Sequence, residues 1–146
     1  MKRGSLLLLG LSLALLGGCA SEDLAHTTPI ARSNVLKPEF TQPRAGTAHL
    51  TVYREPENSG KVCDAVVQVS FHDVPGGRIA DVAKLWPDDR LDIYLDPGHY
   101  RLNVYSAICG EVMPVDVDVS LKAGEALTYK LFTGEFNMSL TAEPAH

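Results

Sequence analysis

The chain has 146 residues, with 13 Lys or Arg against 18 Asp or Glu and a formal net charge of −5. That length suits one domain plus a tail. The acidic balance, with no basic stripe and no interleaving of aromatic and basic residues, argues against a nucleic-acid-binding surface.

The chain opens on Lys2 and Arg3, runs uncharged over residues 4–18, and reaches Leu16-Gly17-Gly18-Cys19. The uncharged run is shorter than the roughly 20 residues a membrane-spanning helix needs. Two cations ahead of an apolar stretch that ends in small residues is the layout of a cleaved export signal. The sequence Leu, two small residues and Cys resembles the lipobox of bacterial lipoproteins. The resemblance implies removal of residues 1–18, a diacylglycerol on the Cys19 sulfur and an acyl chain on its amine. Two or more chains anchor stably where one does not. An ordinary signal peptide with an incidental Cys is the alternative. Ala20-Ser21 follow, with no Asp after the Cys. Under the enteric sorting pattern this implies the outer membrane, on the periplasmic side, rather than the inner membrane.

Residues 19–46 are expected to be the lipidated Cys and a flexible tether. Pro29, Pro38 and Pro43 interrupt them, and Leu24, Ile30, Val35, Leu36 and Phe40 follow no sustained period. Residues 47–146 are expected to form the domain. Alternating runs begin at Leu50 and Val52, then continue through Ala65, Val67, Val69 and Phe71. Leu91, Ile93 and Leu95 follow, then Tyr100, Leu102 and Val104, and then Val115, Val117, Val119 and Leu121. The last runs are Leu127, Tyr129 and Leu131, and then Phe136, Met138 and Leu140. Period two means one buried and one wet face. Turn signals separate the runs, including Pro87-Asp88-Asp89, Asp96-Pro97-Gly98 and Ala123-Gly124-Glu125. Seven strands are clear. An eighth over residues 78–84 competes with a helical turn at Ile79-Ala80-Asp81-Val82-Ala83. The expected fold is all-β, an antiparallel sandwich of immunoglobulin-like or transthyretin-like shape.

With Cys19 assigned to lipid, Cys63 and Cys109 remain. In an exported chain two such cysteines are expected to pair. A catalytic or metal-binding role is the alternative, for which no C-x-x-C or Cys/His cluster stands in the sequence.

The core holds Leu50-x-Val52-Tyr53-Arg54, Leu95-Asp96-Pro97-Gly98-His99-Tyr100-Arg101-Leu102 and Leu121-x-Ala123-Gly124-Glu125-x-x-x-Tyr129. In these motifs it resembles a small-lipoprotein domain family of unknown function with a PEGA-like sandwich pattern. Pro97-Gly98 is expected to turn tightly between hairpin strands, with Gly at positive φ. Cys63 and Cys109 depart from the pattern. The family has no catalytic residues to carry over.

His72-Asp73 and Asp96 with His99 would bind metal only if their loops met, and neither has zinc-site spacing. Ser70, Ser106, Ser120 and Ser139 lack the nucleophile-elbow context. Asp116 and Asp118 share a strand face that is expected to be wet. No cofactor or metal is therefore expected. Trp86, in Trp86-Pro87-Asp88-Asp89-Arg90, is expected either to anchor a partner or to plug one end of the sandwich. The loop formed by Trp86, Asp88, Asp89 and Arg90 is the candidate contact. The leading function is a non-enzymatic, membrane-anchored periplasmic lipoprotein that contacts an envelope protein. The alternative is binding of a glycan or peptidoglycan fragment by Trp86, Tyr94 and Tyr105. Hydrolysis is the least supported, because no motif meets its requirements.

Overall fold

The computed structural model describes residues 22–56, 63–71, 77–110 and 113–144. They form an all-β sandwich of nine strands. A short helix, α1 (Glu22–Ala25), precedes β1 (Thr28–Pro29) and two 3-10 turns (Arg32–Asn34 and Pro38–Thr41). Then come β2 (Ala48–Arg54), β3 (Ala65–Phe71), β4 (Arg78–Leu85), β5 (Asp89–Leu95), β6 (Gly98–Tyr105), β7 (Val115–Leu121), β8 (Ala126–Thr133) and β9 (Met138–Glu143). One sheet runs β1-β5-β2-β8-β9 and the other β4-β3-β6-β7. Most pairs are antiparallel, while β1 with β5 and β2 with β8 are parallel.

Alternation places the core between the sheets. In β6, Tyr100, Leu102 and Val104 are buried while His99 and Arg101 are exposed. Leu50, Val52, Leu91, Ile93, Leu95, Leu131 and Met138 approach from the five-stranded sheet. Val67, Val69, Val82, Leu85, Leu102, Val119 and Leu121 approach from the other. Each fully buried aliphatic side chain contributes roughly 1.5–3 kcal/mol relative to exposure.

Residues 78–85 are a strand rather than a helical turn. Their mixed pattern has a cause in the ladder. Val67 faces Ala83 and Gln68 faces Asp81, so Val82 is an extra residue in a bulge. Val82 and Ala83 are consequently both buried, which breaks period two. The bulged Val82 carbonyl turns to accept the N–H groups of Leu36 and Lys37, at 2.8 and 3.1 Å.

That bond belongs to a wider arrangement along one side of the sandwich. Thr28 and Pro29 extend the five-stranded sheet beyond β5. Val35 bridges to Ala83 of β4 in the other sheet. Ile30 and Phe40 pack against the core. The segment expected as free tether is thus laid over the adjacent edges of both sheets from Thr28 to Thr41. Each apolar residue there is a single plug, which leaves no period to read. Covering unpaired strand edges protects them from pairing with another chain.

Pro97-Gly98 joins β5 in one sheet to β6 in the other, so it is a crossing between layers and not a hairpin turn. Gly98 is not among the described glycines with positive φ, which are Gly46 and Gly124. A Cβ on Gly98 would meet the Tyr100 ring at 3.3 Å, so close approach explains the glycine. Gly124, at φ 72°, does make the positive-φ turn expected of Ala123-Gly124-Glu125.

Candidate functional site

The strand directions sort the loops into two ends. β2 and β8 finish, and β5 and β9 begin, at one end of the five-stranded sheet. β4 and β6 finish, and β3 and β7 begin, at the same end of the other. Because β1 runs parallel to β5, the polypeptide enters there too. This entry end carries residues 86–88, 106–110 and 134–137, together with the Cys63–Cys109 disulfide, whose Cα atoms are 5.8 Å apart. The far end carries residues 42–47, 96–97 and 122–125.

Two buried polar groups organise the entry end. Arg54 has the same parity as Leu50 and Val52, so its strand aims it into the core, where it is fully buried. Its guanidinium Nη1 donates to the carbonyls of Cys63 and Leu85, the latter at 2.8 Å. A buried charge is tolerated when it is hydrogen-bonded in this way. Asp64, also buried, accepts from the N–H groups of Ala107 at 3.0 Å and Ile108 at 3.2 Å, and from the Ser106 hydroxyl at 3.2 Å. Ser106 Oγ in turn accepts the Cys109 N–H at 2.9 Å. The loop after β6 is therefore pinned by a carboxylate beside one cysteine and a disulfide through it.

Trp86 is half-buried and stands outside the core cluster. Its N–H donates to Asp89 Oδ2 at 2.8 Å, while Asp89 N–H returns to the Trp86 carbonyl at 3.1 Å. Asp88 takes the left-handed conformation at φ 67°, which a short polar residue tolerates. The carbonyls of Asp88 and Arg90 accept the N–H groups of Thr28 and Ile30. The backbone of the 86–90 loop is thus engaged by β1, and Asp88 is its exposed side chain, while Trp86 stays half-buried.

Cross-strand register builds a polar row that no motif announced. On the outer face of the five-stranded sheet, His49 stands opposite Tyr94, and Thr51 opposite Asp92. The His49 and Tyr94 rings stack at 4.7 Å. Asp92 Oδ1 is 2.8 Å from His49 Nε2 and accepts the Thr51 hydroxyl at 2.9 Å. Arg90 Nε lies 3.4 Å from Asp92 Oδ2. Tyr53 donates to Glu143, and Lys130 pairs with Glu55. Fixed partners of this kind make the row a set of cross-strand stabilising pairs.

The remaining sequence candidates are dispersed. His99 is exposed and bonds Ser120 Oγ at 2.9 Å. Asp116 and Asp118 share Arg101, at 3.7 and 2.9 Å, on the wet face. Asp96 pairs with Arg44 at 3.4 Å. His72, Asp73 and Cys19 lie outside the described residues. Among the described residues no three His, Cys, Asp or Glu side chains gather at a metal-binding distance. Tyr94 belongs to the polar row, and Tyr105 ends β6 at the entry end. The three aromatics of the glycan alternative are therefore not shown sharing one patch.

Two small cavities border the entering segment. One, of about 200 Å³, is lined by Ile30, Arg32, Val35, Arg90 and Asp92 among others. The second, of about 250 Å³, is lined by His26, Thr27, Tyr53, Arg54, Glu55 and Asp88 among others. Both fall below the 300–1,000 Å³ typical of small-molecule sites.

No family model matches the chain, and no curated protein matches it. Among solved structures, the T6SS lipoprotein TssJ1 from Pseudomonas aeruginosa is similar with a TM-score of 0.42 and 10% identity. The match covers 70% of this chain and 100% of that one.

Proposed function

We infer that this chain is a periplasmic lipoprotein, anchored through Cys19 to the outer membrane, whose sandwich acts as a non-enzymatic contact module for an envelope protein. The observation that carries the reading is the placement of Leu16-Gly17-Gly18-Cys19 after a basic start and an apolar run. The Cys63–Cys109 bond agrees with an oxidising compartment. Anchoring confines the module to a layer near the membrane and raises its effective concentration for a partner held in the same layer.

The docked segment sets the reach. Cys19 lies three positions before Glu22. The chain is already folded back at Thr27, whose N–H bonds the Leu24 carbonyl at 3.2 Å. Five residues from Cys19 to Leu24 span at most about 17 Å, so the sandwich would sit close to the bilayer.

The test is Cys19→Ser. The variant should lose its lipid and leave the membrane fraction, and in-cell crosslinks to envelope proteins should fall with it. An unmodified Cys19 peptide from the native protein, found by mass spectrometry, would sink the reading.

A further inference from the structure

Exposed apolar side chains are common on any protein and usually scatter. Here they do not. The described residues hold six large exposed ones: Leu36, Phe71, Ile108, Met113, Phe132 and Phe136. Ile108, Met113 and Phe136 are the most exposed, at 65, 66 and 57%, and all three sit in loops of the entry end. Met113 and Phe136 are neighbours, because Met113 N–H donates to the Phe136 carbonyl at 2.9 Å. Phe132 lies one residue from the same end of β8. The far end has Phe71, whose ring stacks on Tyr100.

The loops that present these residues are held firmly. Asp64 and the disulfide fix the loop of Ile108, while the bridge from Met113 to Asn137 fixes the pair Met113 and Phe136. A rigid loop loses little entropy when its tip enters an interface. The chain entering at this same end carries Cys19 three positions ahead of Glu22.

We propose that the entry end is a membrane-docking surface, with Ile108, Met113 and Phe136 seated in the lipid interface beside the anchor and Trp86 at its margin. The proposal rests on the lipid-anchor reading and names the surface that this end meets. Apolar side chains on interfacial helices lie about 5–10 Å into the boundary between headgroups and acyl chains, and these loop tips would occupy the same layer. The loops of this end also carry the exposed carboxylates Asp88 and Glu135, so the fitting surface is zwitterionic lipid and not an anionic one. The sandwich then stands upright on the bilayer, and the far end and the outer sheet faces point into the periplasm.

Trp86 is the one tryptophan of the chain and serves as the reporter. The purified lipidated protein is mixed with vesicles of phosphatidylethanolamine and brominated phosphatidylcholine. Flotation reads the anchor, and quenching of Trp86 fluorescence by bromine reads the docking. The protein should float with Trp86 quenched. The triple variant Ile108→Ser, Met113→Ser, Phe136→Ser should float equally and lose the quenching. A reporter moved to the far end, with Trp86→Phe and Phe71→Trp, should float unquenched. Flotation without quenching of Trp86 overturns the docking alone, and is the result expected if a protein partner covers this end instead. Unchanged quenching in the triple variant, or equal quenching at both ends, also overturns it. A native chain that does not float overturns the anchor reading and the docking with it.

Discussion

Single residues carry two expectations that can be measured directly. Arg54 is a long cation at an apolar register position, and it satisfies two carbonyls, one ahead of β3 and one at the end of β4. Leaving a buried acceptor unmet costs about 1–3 kcal/mol. Arg54→Leu should therefore lower stability by about 2 kcal/mol or more, read as a drop in the urea midpoint. An unchanged midpoint would mean that the carbonyls find other partners. Tyr100 acts at the far end, where its hydroxyl donates to the Asp96 carbonyl at 2.7 Å. Burial, and then the Asp96 charge, raise its pKa above the ordinary 10.0, and burial raises that of Tyr129. The folded state thus holds these protons longer than the unfolded state does. Their contribution is complete below pH 10 and is lost as pH climbs through the raised values. Stability should fall more steeply as pH rises above 10 in the native protein than in Tyr100→Phe. Parallel curves would contradict that assignment.

At the scale of elements, the entering segment behaves as an edge cover. It hydrogen-bonds the Asp88 carbonyl just ahead of β5 through Thr28, β5 itself through Ile30, and β4 through Leu36 and Lys37. A chain beginning at Thr47 should lose this cover, expose the core beneath Ile30 and Phe40, and self-associate through β4 and β5. Sedimentation should find it larger than a chain beginning at Glu22; a monomer of equal stability would show the cover to be dispensable. Much of the rest was readable in advance. The seven alternating runs became β2, β3 and β5–β9, because period two survives wherever a strand is regular. Phe136 left its expected strand for the turn, and β4 lost its period at the Val82 bulge. The entering segment was missed because its apolar residues dock one at a time. Arg54 could have been flagged, since a charge at the parity of Leu50 and Val52 demands an interior partner. The row of His49, Thr51, Asp92 and Tyr94 could not, because it depends on a pairing between strands 43 positions apart, as at His49 and Asp92.

The whole molecule is tied by one covalent crosslink. The segment between Cys63 and Cys109 contains β3, β4, β5 and β6, so the loop it closes passes through both sheets. Chain-entropy arithmetic gives on the order of 4 kcal/mol for a loop of this length, acting by restricting the unfolded ensemble. A second effect is local, since the same bond holds the loop that presents Ile108. The two effects leave different traces. Releasing a constraint on the unfolded state lowers the free energy of global opening, so every slowly exchanging core amide should speed up together when the bond is removed. A purely local effect should speed exchange only around residues 106–110. With Cys63→Ser and Cys109→Ser in the same chain, the urea midpoint should fall and the core amides of β2, β3 and β6 should all exchange faster by a common factor. Faster exchange confined to the 106–110 loop would make the bond a local clamp, and its main consequence would then be a looser docking end rather than a weaker sandwich.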